Sequence, residues 1–236
     1  MHRSRCASAR YGRRMARGRD DSVPRIDPLV LRGLTTGDPG DLSAGEQRDG
    51  ERFEHVRLDA ADLEDLVLDG CEVTDGQGDE VRLDRSRLLE SVLDRIAVTS
   101  WSAKGSTWRD VRLTGSRIGA AEWYDGEWRG VELIGCRIGY CNLAGSRLQD
   151  VRFTDCVVDE LDLRAAEARR VAFDGCRIGT LSVADARLEH VDLTGVELAG
   201  VDRADGLRGA VLDEEQLVLL APLLADALGI RVAGRR

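Results

Sequence analysis

The chain has 236 residues, 42% of them apolar, and a formal charge of -9. That apolar content suits one well-buried domain, and no run approaches the length of a membrane span. Residues 1–19 hold seven arginines and no acid, so -9 less +7 leaves -16 for the rest, which argues against charge-driven nucleic-acid binding by the body and favours a basic surface on a partner.

The arginine-rich leader, residues 1–22, lacks the apolar core of a signal peptide, and a cytoplasmic protein is expected. A solvated, disordered tail is the ordinary reading of such a segment; a targeting leader or nucleic-acid tail is the alternative. Residues 23–50 are expected to form an N-terminal cap or linker. Within them VPRIDPLVLRGL (23–34) reads as a short strand covering the start of the next element, and TTGDPGDLSAGEQRDG (35–50) as a loop.

From Glu51 to Ala210 a beat of five runs for 32 quintets. An aliphatic or aromatic residue occupies the centre of most quintets, as at Phe53, Leu58, Leu63, Leu68, Leu113, Ile118, Leu133, Ile138, Leu143 and Leu148. Two places earlier stands a second apolar or small residue, as at Val56, Leu66, Cys71, Val111, Ser116, Val131, Cys136, Cys141 and Ser146. A helix repeats at 3.6 and a strand at 2, so neither alone explains the pattern. A short extended piece that points both members inward, followed by a corner, does. Glycine often closes the quintet, where a tight corner uses its conformational freedom.

With AADLEDLVLDG (60–70), CNLAG (141–145) and ADARLEHVDLTG (184–195), the chain resembles the pentapeptide-repeat family, whose pattern is A-(D/N)-L-x-x. The resemblance covers residues 51–210 and implies an all-β solenoid: a right-handed quadrilateral β-helix with four quintets per coil, hence about eight coils. A second period of 20 is then expected, and it is visible. Positions 111, 131, 151, 171 and 191 are all valine. Stacked at strand spacing, eight coils would make a rod on the order of 35 to 40 Å long.

Residues 54–84 hold eleven acids and two arginines. Asp59, Asp62, Glu64, Asp65, Asp69, Glu72, Asp75, Asp79, Glu80 and Asp84 are expected to face solvent and form the candidate acidic interaction surface. Solubility is the neutral explanation. The resemblance supplies the other: some family members bind DNA gyrase or topoisomerase IV by imitating duplex DNA, and protect it from quinolones or gyrase-directed toxins. Arg117, Arg137 and Arg177 share one outward column, with Arg112, Arg147, Arg152 and Arg187 nearby, so the later coils are of mixed charge. The primary expectation is therefore a protein-binding scaffold of unidentified partner, with the gyrase or topoisomerase IV modulator as the alternative.

Trp101, Trp108, Trp123 and Trp128 cluster where the small-residue pattern breaks down. They are expected to mark either an exposed aromatic surface or locally enlarged core packing in an irregular coil. Five of six cysteines fall on small inward positions, including the column Cys136, Cys156 and Cys176, and are expected to be packing thiols. His2, His55 and His190 lack metal-ligand spacing. With no catalytic constellation in the sequence, no enzyme activity, metal or cofactor is expected.

Residues 211–236 are expected to cap the last coil. Asp213 and Gln216 form a capping-box pattern, and Leu217, Leu220, Leu224 and Leu228 an apolar stripe. Pro222 is expected to kink or divide the helix, and Gly229 to end it. The resemblance adds that such a segment can also join two rods into a homodimer. Neither membrane insertion nor direct nucleic-acid binding is expected.

Overall fold

The computed structural model describes residues 21–231. The expected disordered leader therefore lies outside the described residues apart from Asp21 and Ser22. The chain forms a right-handed quadrilateral β-helix of about nine turns, closed by one helix, α1 (Glu214–Ala227). Every strand pairing is parallel, and in the body each pairs residues 20 apart, as in Val131 with Val151 and Ile118 with Ile138.

Each coil has four faces. Face 1 is centred on residues such as Leu133 and Phe153, face 2 on Ile138 and Val158, face 3 on Leu143 and Leu163, and face 4 on Trp128 and Leu148. All of these side chains point inward and are buried. Backbone amides bridge coil to coil, as in Arg137 N to Ser116 O at 2.9 Å and Leu143 N to Asp162 O at 2.8 Å. The polar main chain is thereby satisfied around a mostly apolar interior, where the few inward serines add to it: the Ser91, Ser116 and Ser146 hydroxyls accept from the Cys71, Ile96 and Gly126 amides.

The corners are not equivalent. Three of the four turn through a residue with positive φ, for example Gly135 (62°), Gly145 (66°) and Asp150 (57°). Glycine and aspartate tolerate that region, whereas β-branched residues are strained there. The corner between faces 2 and 3 instead bends within a continuous strand, as in Arg137–Asn142. Tyr140 and Thr180 sit at that corner without a positive φ, which explains why bulky residues are accepted there.

The tryptophans are interior, which rules out the aromatic surface. Each is at most 2% exposed. They are core packing, and the coil keeps its register around them: Trp101 pairs with Val81 before it and Ala121 after it. Volume is balanced between neighbouring coils: Trp101 lies against Ala121, and Ala103 stands one coil before Trp123. Trp108 and Trp128 stack at 4.5 Å with 9° between planes, and Trp101 meets Trp123 edge-on at 5.3 Å. Phe153 and Phe173 continue the pattern at 4.8 Å.

Both ends depart from the quintet frame. Thr35–Thr36 pairs with Glu51 and Arg52 at an offset of 16, and Gln47–Asp49 pairs with Val67–Asp69. Residues 35–50, expected as a loop, thus make a shortened opening turn that adds to the eight regular coils. At the far end the frame holds to Asp202 and then gives way to a 3-10 turn at Ala204–Leu207. Val191 consequently pairs with Ala210 rather than with residue 211. A Cβ on Gly206 would lie 1.8 Å from the Val183 carbonyl oxygen, so only glycine permits that closing turn.

Trp108→Ala should remove the ring that meets the other three tryptophans and cost about 3 to 5 kcal/mol. Reversible denaturant unfolding followed by tryptophan fluorescence measures it; a loss below about 1 kcal/mol would show that the coil collapses around the gap.

Candidate protein interface

In-register parallel stacking places each outward side chain about 4.8 Å from the one 20 residues later. The outside of the rod is therefore a set of columns, and like charges in one column repel. Several columns alternate in sign. Arg112 pairs with Glu132 at 2.9 Å, Arg147 with Glu127 at 3.1 Å, Arg187 with Glu167 at 2.7 Å and Arg177 with Glu197 at 2.6 Å. Arg152 stands 3.5 Å from Asp174. Arg117 and Arg137 are in-register neighbours, both exposed, and neither has an ion pair among the described residues.

The ten acids of the candidate surface are all exposed or half-buried, but they do not share a face. Asp59 and Asp79 flank face 2, and Glu80 sits on the corner that follows. Asp62, Glu64 and Asp84 lie on face 3, Asp65 on the next corner, Asp69 on face 4, Glu72 on face 1 and Asp75 on the corner after it. Arginine meets six of them. Asp59 pairs with Arg57, Asp62 and Glu64 with Arg82, Asp65 with Arg85, Glu72 with Arg52, and Asp75 with Arg95. The Arg85 guanidinium beside Asp65 and the Arg95 guanidinium beside Asp75 hold both carboxyls below the usual carboxylate range. Asp84 accepts from the Lys104 N–H and the Ser102 hydroxyl. Asp69, Asp79 and Glu80 have no ion pair among the described residues.

The C-terminal cap uses its polar groups twice. Asp213 accepts from Gln216 N at 2.8 Å, and Gln216 Oε1 accepts from Asp213 N at 3.0 Å. Gln216 Nε2 then donates to the Leu193 and Val196 carbonyls of the last coil, at 2.6 and 3.0 Å. The expected apolar stripe splits. Leu220 is buried and Leu224 partly so, but Leu217 is 52% and Leu228 75% exposed. The buried line is instead Gln216, Leu220 and Leu224, spaced by four as one helical face requires. Val218, Leu219 and Leu223 join Leu217 on the solvent side. Pro222 does not divide α1: the carbonyl it leaves without an amide is that of the exposed Val218.

The cysteines Cys71, Cys136, Cys141, Cys156 and Cys176 are buried free thiols. Burial pushes the Cys71 and Cys141 thiols up, away from reactive thiolate. Among the described residues no group of three or more His, Cys, Asp or Glu side chains is placed to hold a metal ion. No helix among them is long and apolar enough to cross a membrane.

One surface feature has no counterpart in the sequence expectations. Residues 23–34 form no strand over the opening turn; they run lengthwise along the rod. Arg25 N donates to Asp150 Oδ1 at 2.9 Å, and Arg112 reaches the Leu29 carbonyl at 3.5 Å. The segment therefore crosses the rungs and joins face 1 at Thr35. The short strand expected over the opening of the rod does not form, because a segment running across the rungs has no parallel neighbour to pair with. Beneath it Arg170 binds Asp150 through two hydrogen bonds, at 2.6 and 2.7 Å, with both side chains under a tenth exposed. The signal available in the sequence was an opposite-charge pair 20 residues apart at two corner positions.

Residues 126–202 match the family model described as a pentapeptide repeat region. The same 20-residue register continues from that segment back to the first regular coil. Residues 126–202 thus carry the pentapeptide repeat, within a β-solenoid that extends well beyond them. No curated protein matches its sequence. Among solved structures, a trypsin-treated variant of QnrB1, a plasmid-mediated fluoroquinolone resistance protein, is 21% identical with a TM-score of 0.35. That match covers 84% of this chain and 95% of the other. Full-length QnrB1 is 19% identical with a TM-score of 0.31, covering 80% of this chain and 94% of the other.

Within this rod, the Asp150 to Arg170 pair gives a pH-dependent test. Burial opposes ionisation of Asp150, but hydrogen bonds from Arg170 and the Arg25 N–H outweigh it, and the carboxyl lies below its usual value. A depressed folded value stabilises the fold above the unfolded carboxylate value of about 4, and the contribution is lost as pH falls through the folded value. Asp150→Asn should therefore cost about 3 to 5 kcal/mol at pH 7 by leaving Arg170 buried and unpaired. Thermal melts at pH 7, 5 and 3 should show the gap from the unsubstituted chain narrowing only below about pH 4; a gap independent of pH would contradict the assignment.

Proposed function

We propose that the rod is a non-enzymatic protein-binding scaffold that also pairs with a second copy through its C-terminal cap. The carrying observation is the outer face of α1, where Leu217, Val218, Leu219, Leu223 and Leu228 stand exposed at the end of the rod. Large apolar side chains exposed in that number on one short terminal helix support a docking surface. A second copy is the occupant that presents the same face in return. The flat faces, with side chains fixed in columns, are the surfaces offered to other partners. Arg117 and Arg137 on face 2, and the acids of the first two coils, are their charged elements.

A second reading is that the acidic coils bind DNA gyrase or topoisomerase IV. It is favoured by Asp69, Asp79 and Glu80, which are solvent-facing carboxylates without arginine partners among the described residues. Against it stands the spread of the ten acids over four faces and the neutralisation of six by arginine. A phosphate-like stripe needs its charges on one side.

Light scattering coupled to gel filtration should give twice the chain mass. Replacing Leu219 and Leu223 together by Glu should give a monomer whose unfolding midpoint moves by only a few degrees, roughly the effect of a surface substitution. A monomeric unsubstituted chain at tens of micromolar would sink the pairing.

For the second reading, the purified chain at molar excess should change gyrase supercoiling or its quinolone sensitivity. Asp79→Lys with Glu80→Lys should weaken that effect about tenfold, as loss of complementary charge would. Unaltered gyrase activity and sensitivity would exclude it.

A further inference from the structure

We propose that face 1 is a docking track for an extended, proline-containing peptide segment, which residues 23–34 of the chain itself occupy in cis. The proposal deepens the scaffold reading and rests on it, because it names one surface of the rod and the chemistry of its partner.

The rod does not need this segment for its own ladder. Coil-to-coil hydrogen bonds run along face 1 in register beneath it, from Arg112 with Glu132 to Arg152 with Ala172. The segment crosses those rungs and adds no strand pairing between Pro24 and Gly33. Its attachment is one-sided. Pro24 is buried, and Ile26, Leu29, Leu31 and Leu34 are half-buried, while Val23 and Val30 face solvent. The outward side chains of face 1 are mixed: Val92, Ile134 and Ala172 are apolar, the last 6% exposed, and Arg112, Glu132 and Arg152 are charged. A segment held this way can leave without breaking the β-helix.

The track has a polar anchor as well. Asp150 and Arg170 occupy corner positions with φ of 57° and 52°, where the side chains of other coils commonly reach water. Here they are buried as a bidentate ion pair, an arrangement that needs its remaining acceptor capacity satisfied. Two further donors reach Asp150: the Gln149 side-chain amide at 3.3 Å and a main-chain N–H of the segment, that of Arg25, at 2.9 Å. Any extended peptide can supply such a donor, so this contact recognises backbone rather than sequence. Selectivity comes from the residue before it. Pro24 needs no hydrogen-bond partner for its nitrogen, and its fixed φ holds the chain extended where it enters the track. Arg112 supplies a second backbone contact, to the Leu29 carbonyl. Arg25 to Leu29 spans four residues, about 13 Å when extended, whereas Asp150 and Arg112 lie about two rungs apart, about 10 Å.

The test uses the whole chain with a protease recognition sequence inserted after Gly33, an exposed position with a φ of 68° and open space around it. After folding, the chain is cut or left uncut. A fluorescein-labelled synthetic peptide of residues 21–34 is the probe. The cut rod should bind the probe at least about tenfold more tightly than the uncut rod, because the competing segment is no longer tethered. A probe carrying Pro24→Asp should lose at least about tenfold in affinity for the cut rod. That substitution leaves the rod unaltered, so misfolding does not confound the comparison. Asp150→Asn in the cut rod should also weaken the probe, with circular dichroism confirming retained β structure.

The proposal is overturned if the cut rod keeps its own segment against a hundredfold excess of probe. It is equally overturned if cut and uncut rods bind alike, or if Pro24→Asp has no effect. None of these results depends on self-association or on gyrase, so failure here is distinguishable from failure of the scaffold reading.

Discussion

Parallel stacking at an offset of 20 residues is the constraint on which the regular coils depend. Once the backbone of one coil hydrogen-bonds to the next in register, every side chain lies over its equivalent one turn earlier. The interior then becomes a few continuous columns, and each column must be filled at constant width. Valine recurs in one column for that reason, and Trp108 with Trp128, or Phe153 with Phe173, stack as flat rings instead of interdigitating. Where a large residue enters a column of small ones, the neighbouring coil compensates, as Ala121 does for Trp101. The narrow interior tolerates size variation only when it is shared between adjacent rungs.

The same stacking orders the outside. Charges held about 4.8 Å apart cannot be of one sign along a column without cost, and the arginines and acids of faces 1, 2 and 4 alternate accordingly. Exposed ion pairs of this type add little to stability, but they cancel net field. The acidity of the first two coils is consequently more apparent in the composition than on the surface. The in-register arginines Arg117 and Arg137 break the alternation and so keep their charge available.

A β-helix also has two ends, each with unpaired backbone groups, and both are closed by local irregularity. The opening turn is four residues short, whereas at the other end a 3-10 turn and a helix take over. There Gln216 gives its amide to two carbonyls that no further coil reaches. With that polar side chain turned to the rod, much of the leucine content of α1 is left facing water. The capping-box pattern was legible because it depends on four consecutive residues. The division of the leucines was not, because it depends on which side of α1 meets the last coil, and a helix apolar on more than one side does not specify that.

The quintet beat by itself determined the inward residues, the burial of the five repeat cysteines and the period of 20, because each follows from a strictly local repeat of extended piece and corner; the four-sided coil was implied by the family resemblance. It also showed that the outward residues are charged. Only the tertiary structure decided which outward residues are neighbours. It distributed Asp59 through Asp84 over four faces, put arginines beside six of the ten acids, and sealed the tryptophans inside by exchanging volume between coils. It alone revealed the segment along face 1 and the buried Asp150 to Arg170 pair. That segment carries no repeat, so no periodicity could place it; its position is set by contacts with residues more than 80 positions away.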